Sequence, residues 1–247
     1  MQSTGGDAVV DGIRLPTQRQ LDEASATFDE EWGEVDKVLY AVCAEHPKHD
    51  ERRHVTAKVA LVGRAYQAGL ERCITPGPGQ QAVMVGADYI WKRGADVDDI
   101  IAAVQQVSEP LTATSAQELV EQHGRFTQLL GEMPECNRLP RSFASKYLHF
   151  HHSVVPIYDS YAAESLMGQV KWSKLKIPFA LPPHGDAEYW DYCVRLFRFC
   201  DACQNHGLAV TTKSLDACLV GGAPLSPRRG CAEAPVLHGA NVPCGYD

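Results

Sequence analysis

The sequence predicts an all-α protein, and three observations carry that expectation. Apolar residues return at helical spacing, most clearly at Val55, Val59, Val62, Tyr66 and Leu70. No stretch alternates apolar and polar residues as a half-buried strand would. Breaks rich in Pro and Gly, such as TPGPGQQ at 75–81 and SEPLTA at 108–113, fall between segments of helix length.

Taken in order, residues 1–15 read as a flexible lead. Thr17 is a cap residue for a long helix with an acidic first half and apolar positions at Val35, Val38, Leu39 and Val42. Residues 51–74 read as one amphipathic helix with Lys58, Arg64 and Arg72 on its polar face. AVMVGADYIWKRG predicts a helix closing at Gly94, and DVDDIIAAVQQV a second one with acidic residues at its start. SAQELVEQHGRFTQLLGEM predicts a helix bent near Gly124. After the turn PECNRLPR, the helix SFASKYLHF places Phe143, Tyr147 and Phe150 on one face. VVPIY is extended, because a proline disfavours helix in the residue before it. Helices follow from Asp159 or Ser160, from Asp186, and across TTKSLDACLVGG. Residues 223–247 lack periodicity and read as a loosely ordered tail.

Composition narrows the class. The chain has 247 residues, is 45% hydrophobic and 22% charged, and contains no apolar run near the roughly 18 residues a membrane span needs. Its first thirty residues lack the basic start and apolar core of a secretory signal, so a cytoplasmic protein is expected. Nine cysteines, an odd number without a repeated framework, are expected to be reduced. A net charge of −8 argues against nucleic acid, but its distribution is uneven. Residues 22–36 hold seven acids and no base, while residues 137–176 carry Arg138, Arg141, Lys146, Lys171, Lys174 and Lys176 against Asp159 and Glu164.

Asp159 is the leading candidate for chemistry. An aspartate at a helix start is most often a cap. The same position lets an anionic carboxylate face a cleft, stabilise a cationic sugar or activate water. His149, His151 and His152 suit helix capping or phosphate contact better than metal binding, and EHPKHDERRH suits a solvated charged face. Cys193, Cys200 and Cys203 match three of the four cysteine positions of an iron–sulfur loop, but the fourth position is Ala209 and the stretch keeps helical spacing, so buried small hydrophobes are expected. No metal or other cofactor is expected.

The order helix, NRLPR turn, SFASKYLHF, extended VVPIY, Asp159, helix resembles the helix-hairpin-helix DNA glycosylase superfamily. The resemblance implies a two-lobed helical bundle, with 16–82 and 166–222 in one lobe and 83–165 in the hairpin lobe. It implies a monomer that flips a base out of double-stranded DNA and cleaves its N-glycosidic bond at Asp159, leaving an abasic site. The hairpin turn here lacks the family's glycines, so Arg138 and Arg141, with Ser142, His149 and His151, become the implied DNA contacts. The family's nucleophilic lysine falls near Ser142, which cannot form a Schiff base, so a monofunctional enzyme is implied. Lys146 is the alternative nucleophile if the register differs by one turn. Arg64, Tyr66, Arg72, Trp91 and Tyr158 are the residues implied to meet the extruded base. The divergent form resembles prokaryotic members that remove modified phage bases, such as glucosylated 5-hydroxymethylcytosine, in antiviral defence. Repair of oxidised or alkylated bases is the alternative substrate class, and a non-catalytic DNA- or protein-binding module the alternative function.

Overall fold

Thr17 opens the first long helix as its sequence implies. Its Oγ1 accepts from the Gln20 amide at 3.2 Å, and Gln20 Oε1 accepts from the Thr17 amide at 2.7 Å, a reciprocal capping box. This is α1 (Gln18–Glu45). The structure is a computed structural model that describes residues 9–171 and 176–220; the tail at 223–247 and Lys174 lie outside the described residues.

Eight more α-helices follow among the described residues: α2 (Arg52–Ala65), α3 (Ala82–Lys92), α4 (Gly94–Val104), α5 (Ala113–Gly131), α6 (Arg141–His151), α7 (Ser160–Gln169), α8 (Ala187–Asn205) and α9 (Thr212–Val220). No helix among the described residues is long and apolar enough to cross a membrane.

Three local expectations are corrected. The lead is not wholly irregular: β1 (Val9–Val10) and β2 (Ile13–Arg14) pair antiparallel. Asp11 and Gly12 join them at φ 51° and 79°, the two positive angles that a tight hairpin with right-handed twist requires. The hairpin delivers Ile13 and Leu15 into the core. The helix expected over 51–74 ends at Ala65; Gln67 turns left-handed at φ 48° and a short 3-10 turn covers Leu70–Arg72. Gly94 begins α4 instead of closing α3, because a Cβ there would sit 2.6 Å from the His49 carbonyl oxygen.

The apolar faces assemble into two cores. One joins Leu39 and Cys43 of α1 to Val59 of α2, Ile90 of α3, Val97 of α4, Phe126 of α5 and Tyr147 of α6. The other joins Leu15 and Leu21 to Val120, Leu166 of α7, Phe199 of α8 and Leu215 of α9. Each fully buried Leu, Val or Phe contributes about 1.5–3 kcal/mol through water exclusion. The division differs from the expected one: residues 52–82 share a core with α3–α6, while α1 and α5 run through both cores. The active-looking turn between α6 and α7 therefore sits where the two cores meet.

Gly124 lies inside α5, which runs without interruption past it. The glycine serves close approach: a Cβ there would lie 1.9 Å from the His184 carbonyl oxygen. Alanine in an open helix position stabilises by about 1 kcal/mol over glycine. Here Gly124→Ala is expected to destabilise by about 2–3 kcal/mol through overpacking, read as a lowered midpoint in urea unfolding.

Candidate functional site

The site is built on α6 and the extended linker after it. Phe143, Ala144, Tyr147, Leu148 and Phe150 bury α6 between its neighbours. Three side chains pin the linker. His149 Nδ1 donates to the Val155 carbonyl at 2.8 Å, Tyr189 Oη donates to the Pro156 carbonyl at 2.8 Å, and Ser145 Oγ accepts from the Tyr158 amide at 2.9 Å. With its backbone polar groups satisfied this way, the linker holds one path and ends at Asp159.

Asp159 is extended at φ −128° and caps α7, its Oδ1 accepting from the Tyr161 amide at 2.9 Å. Its Oδ2 faces the Lys146 ammonium at 3.4 Å. Lys146 is 4% exposed. Its Nζ also donates to Ser142 Oγ at 3.3 Å and to the Tyr66 carbonyl at 3.4 Å. The Tyr66 ring lies 5.8 Å from the same nitrogen. All three hydrogen bonds are long, so they compensate weakly for lost hydration. Burial lowers the Lys146 amine from its ordinary range, against the pull of the Asp159 carboxylate. An amine so placed beside a carboxylate is suited to nucleophilic attack on a sugar carbon.

Behind Lys146 lie groups from distant parts of the chain. Tyr66 Oη donates to Asp36 Oδ1, and Lys213 Nζ of α9 pairs with Asp36 Oδ2 at 3.3 Å. Asp216, also on α9, is buried among them; burial, with the Asp159 and Asp36 charges, pushes its carboxyl up to about 7 despite Lys146. Nothing in the sequence singles out Asp36, Ser145, Lys213 or Asp216, since each is an ordinary residue on an amphipathic helix.

Beside Ser142, which bonds Lys146, opens a cleft of about 450 Å³ lined by Gln67, Gly69, Arg72, Arg138, Ser142 and Tyr158, among others. Arg72 and Arg138 are exposed, and neither has an ion pair among the described residues. The carboxylate–amine pair does not itself line the cleft; it adjoins the wall through Ser142, whose Oγ accepts from Lys146 Nζ. A cleft with free guanidinium groups on its rim can bind an anionic ligand next to that pair.

The structure thus brings Ser142, Arg138, Arg72 and Tyr158 to one cleft, and sets Lys146, Asp159 and Tyr66 behind its wall, where Lys146 bonds Ser142, Asp159 and the Tyr66 carbonyl. Other expected residues lie elsewhere or are already engaged. Arg141 lines the same cleft, but its guanidinium is paired with Asp186, at 2.7 Å from Nη2 to Oδ2, and with Glu188. It fastens α6 to α8. His149 is 4% exposed, and its Nε2 accepts from Tyr40 Oη at 2.6 Å, so both ring nitrogens are occupied away from any surface. His151 packs against His49 and Tyr147, and its Nε2 is buried. Both histidines leave the proposed DNA face because α6 turns that side into the core. Arg64 is exposed on α2 and does not line the cleft. Trp91 is on α3, its indole N–H donating to the Asp50 carbonyl at 3.0 Å, and is not among the lining residues.

The expected solvated face at EHPKHDERRH is half right. The His46 and His54 rings stack at 3.5 Å, but His49 is buried, held by Asp98 at 2.8 Å and Tyr147 at 2.8 Å. Cys193, Cys200 and Cys203 sit on the regular helix α8 as free thiols, and no His, Cys, Asp and Glu group among the described residues is arranged to hold a metal ion.

Comparison with protein-family models, with curated proteins and with solved structures gives no match in any of the three.

Proposed function

We propose that this protein is a DNA glycosylase that breaks the N-glycosidic bond of a modified base in duplex DNA, with Asp159 and Lys146 as its reacting pair. The observation that carries the proposal is the Lys146 amine, buried, 3.4 Å from Asp159 Oδ2 and bonded to Ser142 on the wall of a cleft edged by Arg72 and Arg138. The order α5, turn, α6, pinned linker, Asp159, α7 supports it, being the order of elements in the helix-hairpin-helix glycosylases.

In this reading the base leaves C1′ with the bonding electrons, and the Asp159 carboxylate stabilises the cationic sugar that develops. The Lys146 nitrogen, once neutral, donates its lone pair to C1′; one of its two protons then passes to O4′ as the C1′–O4′ bond breaks with its electrons on oxygen, leaving a protonated imine, while the departed base takes up a proton from solvent. Ser142, which stands on the cleft wall and bonds Lys146 Nζ, orients the amine and forms no such bond. This geometry favours an amine nucleophile over the water-only reaction implied by Ser142.

The competing reading treats Asp159 as a cap only, in a DNA- or protein-binding module; the Asp159–Tyr161 bond is the observation in its favour. Release of free base separates the two. Duplexes bearing glucosylated 5-hydroxymethylcytosine, oxidised purines or alkylated bases are incubated with the protein and the released base is measured by chromatography. Release from one class supports the glycosylase and names its base; release from none leaves the binding module.

The arginines give a second check. Arg138→Ala is expected to weaken binding to duplexes of all sequences and to lower the slope of log affinity against log salt by about 0.9. Arg141→Ala is expected to lower the unfolding midpoint instead, since its charge is held by Asp186 and Glu188. Fluorescence anisotropy across a salt series distinguishes these effects.

A further inference from the structure

Three guanidinium groups line the cleft, those of Arg72, Arg138 and Arg141. Arg72 and Arg138 are exposed and have no ion pair among the described residues. Arg141 sets one positive charge against two carboxylates, Asp186 and Glu188.

The two carboxylates are held differently. Asp186 caps α8, its Oδ1 accepting from the Tyr189 amide at 2.8 Å. Both of its oxygens meet Arg141, one at Nε and one at Nη2, the fork arrangement that fixes orientation. Its side chain is 8% exposed. Glu188 stands in the first turn of α8 with its side chain 64% exposed. Only its Oε2 is engaged, accepting from Arg141 Nη1 and, at a long 3.5 Å, from Tyr158 Oη. Asp186 therefore does the fastening of α6 to α8. Glu188 adds a single exposed contact, of the kind that contributes little to stability.

The effect of Glu188 falls on the cleft instead. Arg141 and Tyr158 both line it, the guanidinium carbon 5.6 Å from the ring centre. Glu188 is not a lining residue and reaches the cleft through these two side chains. A carboxylate and a phosphate meet a guanidinium in the same geometry. Glu188 Oε2 thus holds the place at Arg141 Nη1 that an oxygen of an anionic ligand would take.

We propose that Glu188 is a specificity-determining residue of the cleft: its carboxylate stands in for a phosphate at Arg141 and confines the phosphates of the ligand to Arg72 and Arg138. The proposal deepens the glycosylase reading and rests on it for duplex DNA as the ligand. A duplex held by fewer phosphate contacts is bound less by its backbone charge, which carries no sequence information, and more by the group that enters the cleft.

The test is fluorescence anisotropy of a labelled duplex across a salt series. Glu188→Ala leaves the Asp186 cap and fork in place. It is expected to bind about tenfold more tightly at low salt and to steepen the slope of log affinity against log salt by about 0.9. In an Arg141→Ala background the same substitution is expected to leave the slope unchanged, because the arm that Glu188 covers is gone. An unchanged slope in Glu188→Ala overturns the proposal. A steeper slope that persists without Arg141 also overturns it, since Glu188 would then be one more charge in the field of the protein. If Arg141→Ala does not fold, Arg141→Lys takes its place, its single ammonium pairing with Asp186 and offering no second arm; the same two outcomes apply. If no form of the protein binds duplex, the DNA reading falls, and the series is repeated with inorganic tripolyphosphate by calorimetry. Tighter binding in Glu188→Ala then supports the proposal, and equal or absent binding overturns it.

Discussion

Asp159→Asn is expected to reduce base release by about a hundred- to a thousandfold, the usual cost of losing one group that stabilises transition-state charge. Asparagine is nearly as good a cap as aspartate, so the bond to the Tyr161 amide survives and the unfolding free energy is expected to change by about 1 kcal/mol or less. What is lost is the negative charge facing Lys146. Single-turnover release from the preferred duplex, measured beside a urea unfolding curve, separates the two roles. Full activity in a folded Asp159→Asn protein would reduce Asp159 to a cap.

The second large effect is on stability in acid. Burial pushes the His149 and His123 imidazoles down to about 4. His149 is held neutral between Tyr40 and Val155, and His123 is stacked 3.5 Å from the Tyr189 ring. The unfolded chain binds protons to these residues at their ordinary value near 6.5, more readily than the folded chain does. The stability tied to their neutral form is therefore complete above pH 6.5 and falls as pH drops toward 4. Each histidine is expected to cost about 2–3 kcal/mol by pH 4.5. His49 and His151, also lowered by burial, add in the same direction. Urea unfolding at pH 7 and pH 4.5 measures the loss; equal stability at the two values would show that these rings are not buried neutral. Asp216 acts with the opposite sign. Its raised carboxyl favours the folded chain most in acid, and that contribution fades as pH rises through about 7.

How far the sequence is legible depends on the distance over which each interaction acts. The helices were readable because caps such as Thr17 and the valine stripe of α2 are local. The end of α2 was not, because no proline marks it and the residue that takes the left-handed turn is Gln67 instead of a glycine. The hairpin inside the expected flexible lead went unread, because the strands that Asp11 and Gly12 join are only two residues each. Asp159 and Lys146 could be nominated because they flank one short helix–linker unit. Asp36, Lys213 and Asp216 reach them only through packing of α1 and α9, which no local pattern encodes. Arg138 and Arg141 look alike in sequence; the acids that occupy Arg141 lie at 186 and 188, on the far side of the loop before α8.

The most direct test of the reacting pair is borohydride trapping on duplex DNA containing an abasic site. Attack by an amine on C1′ forms an imine, and hydride reduction fixes it as a stable secondary amine joining protein to DNA. The wild-type protein is expected to give one covalent adduct, mapped by mass spectrometry to Lys146, and Lys146→Met to give none. A wild type that releases base yet forms no adduct, or an adduct that persists in Lys146→Met, would contradict the assignment of Lys146 as the nucleophile beside Asp159.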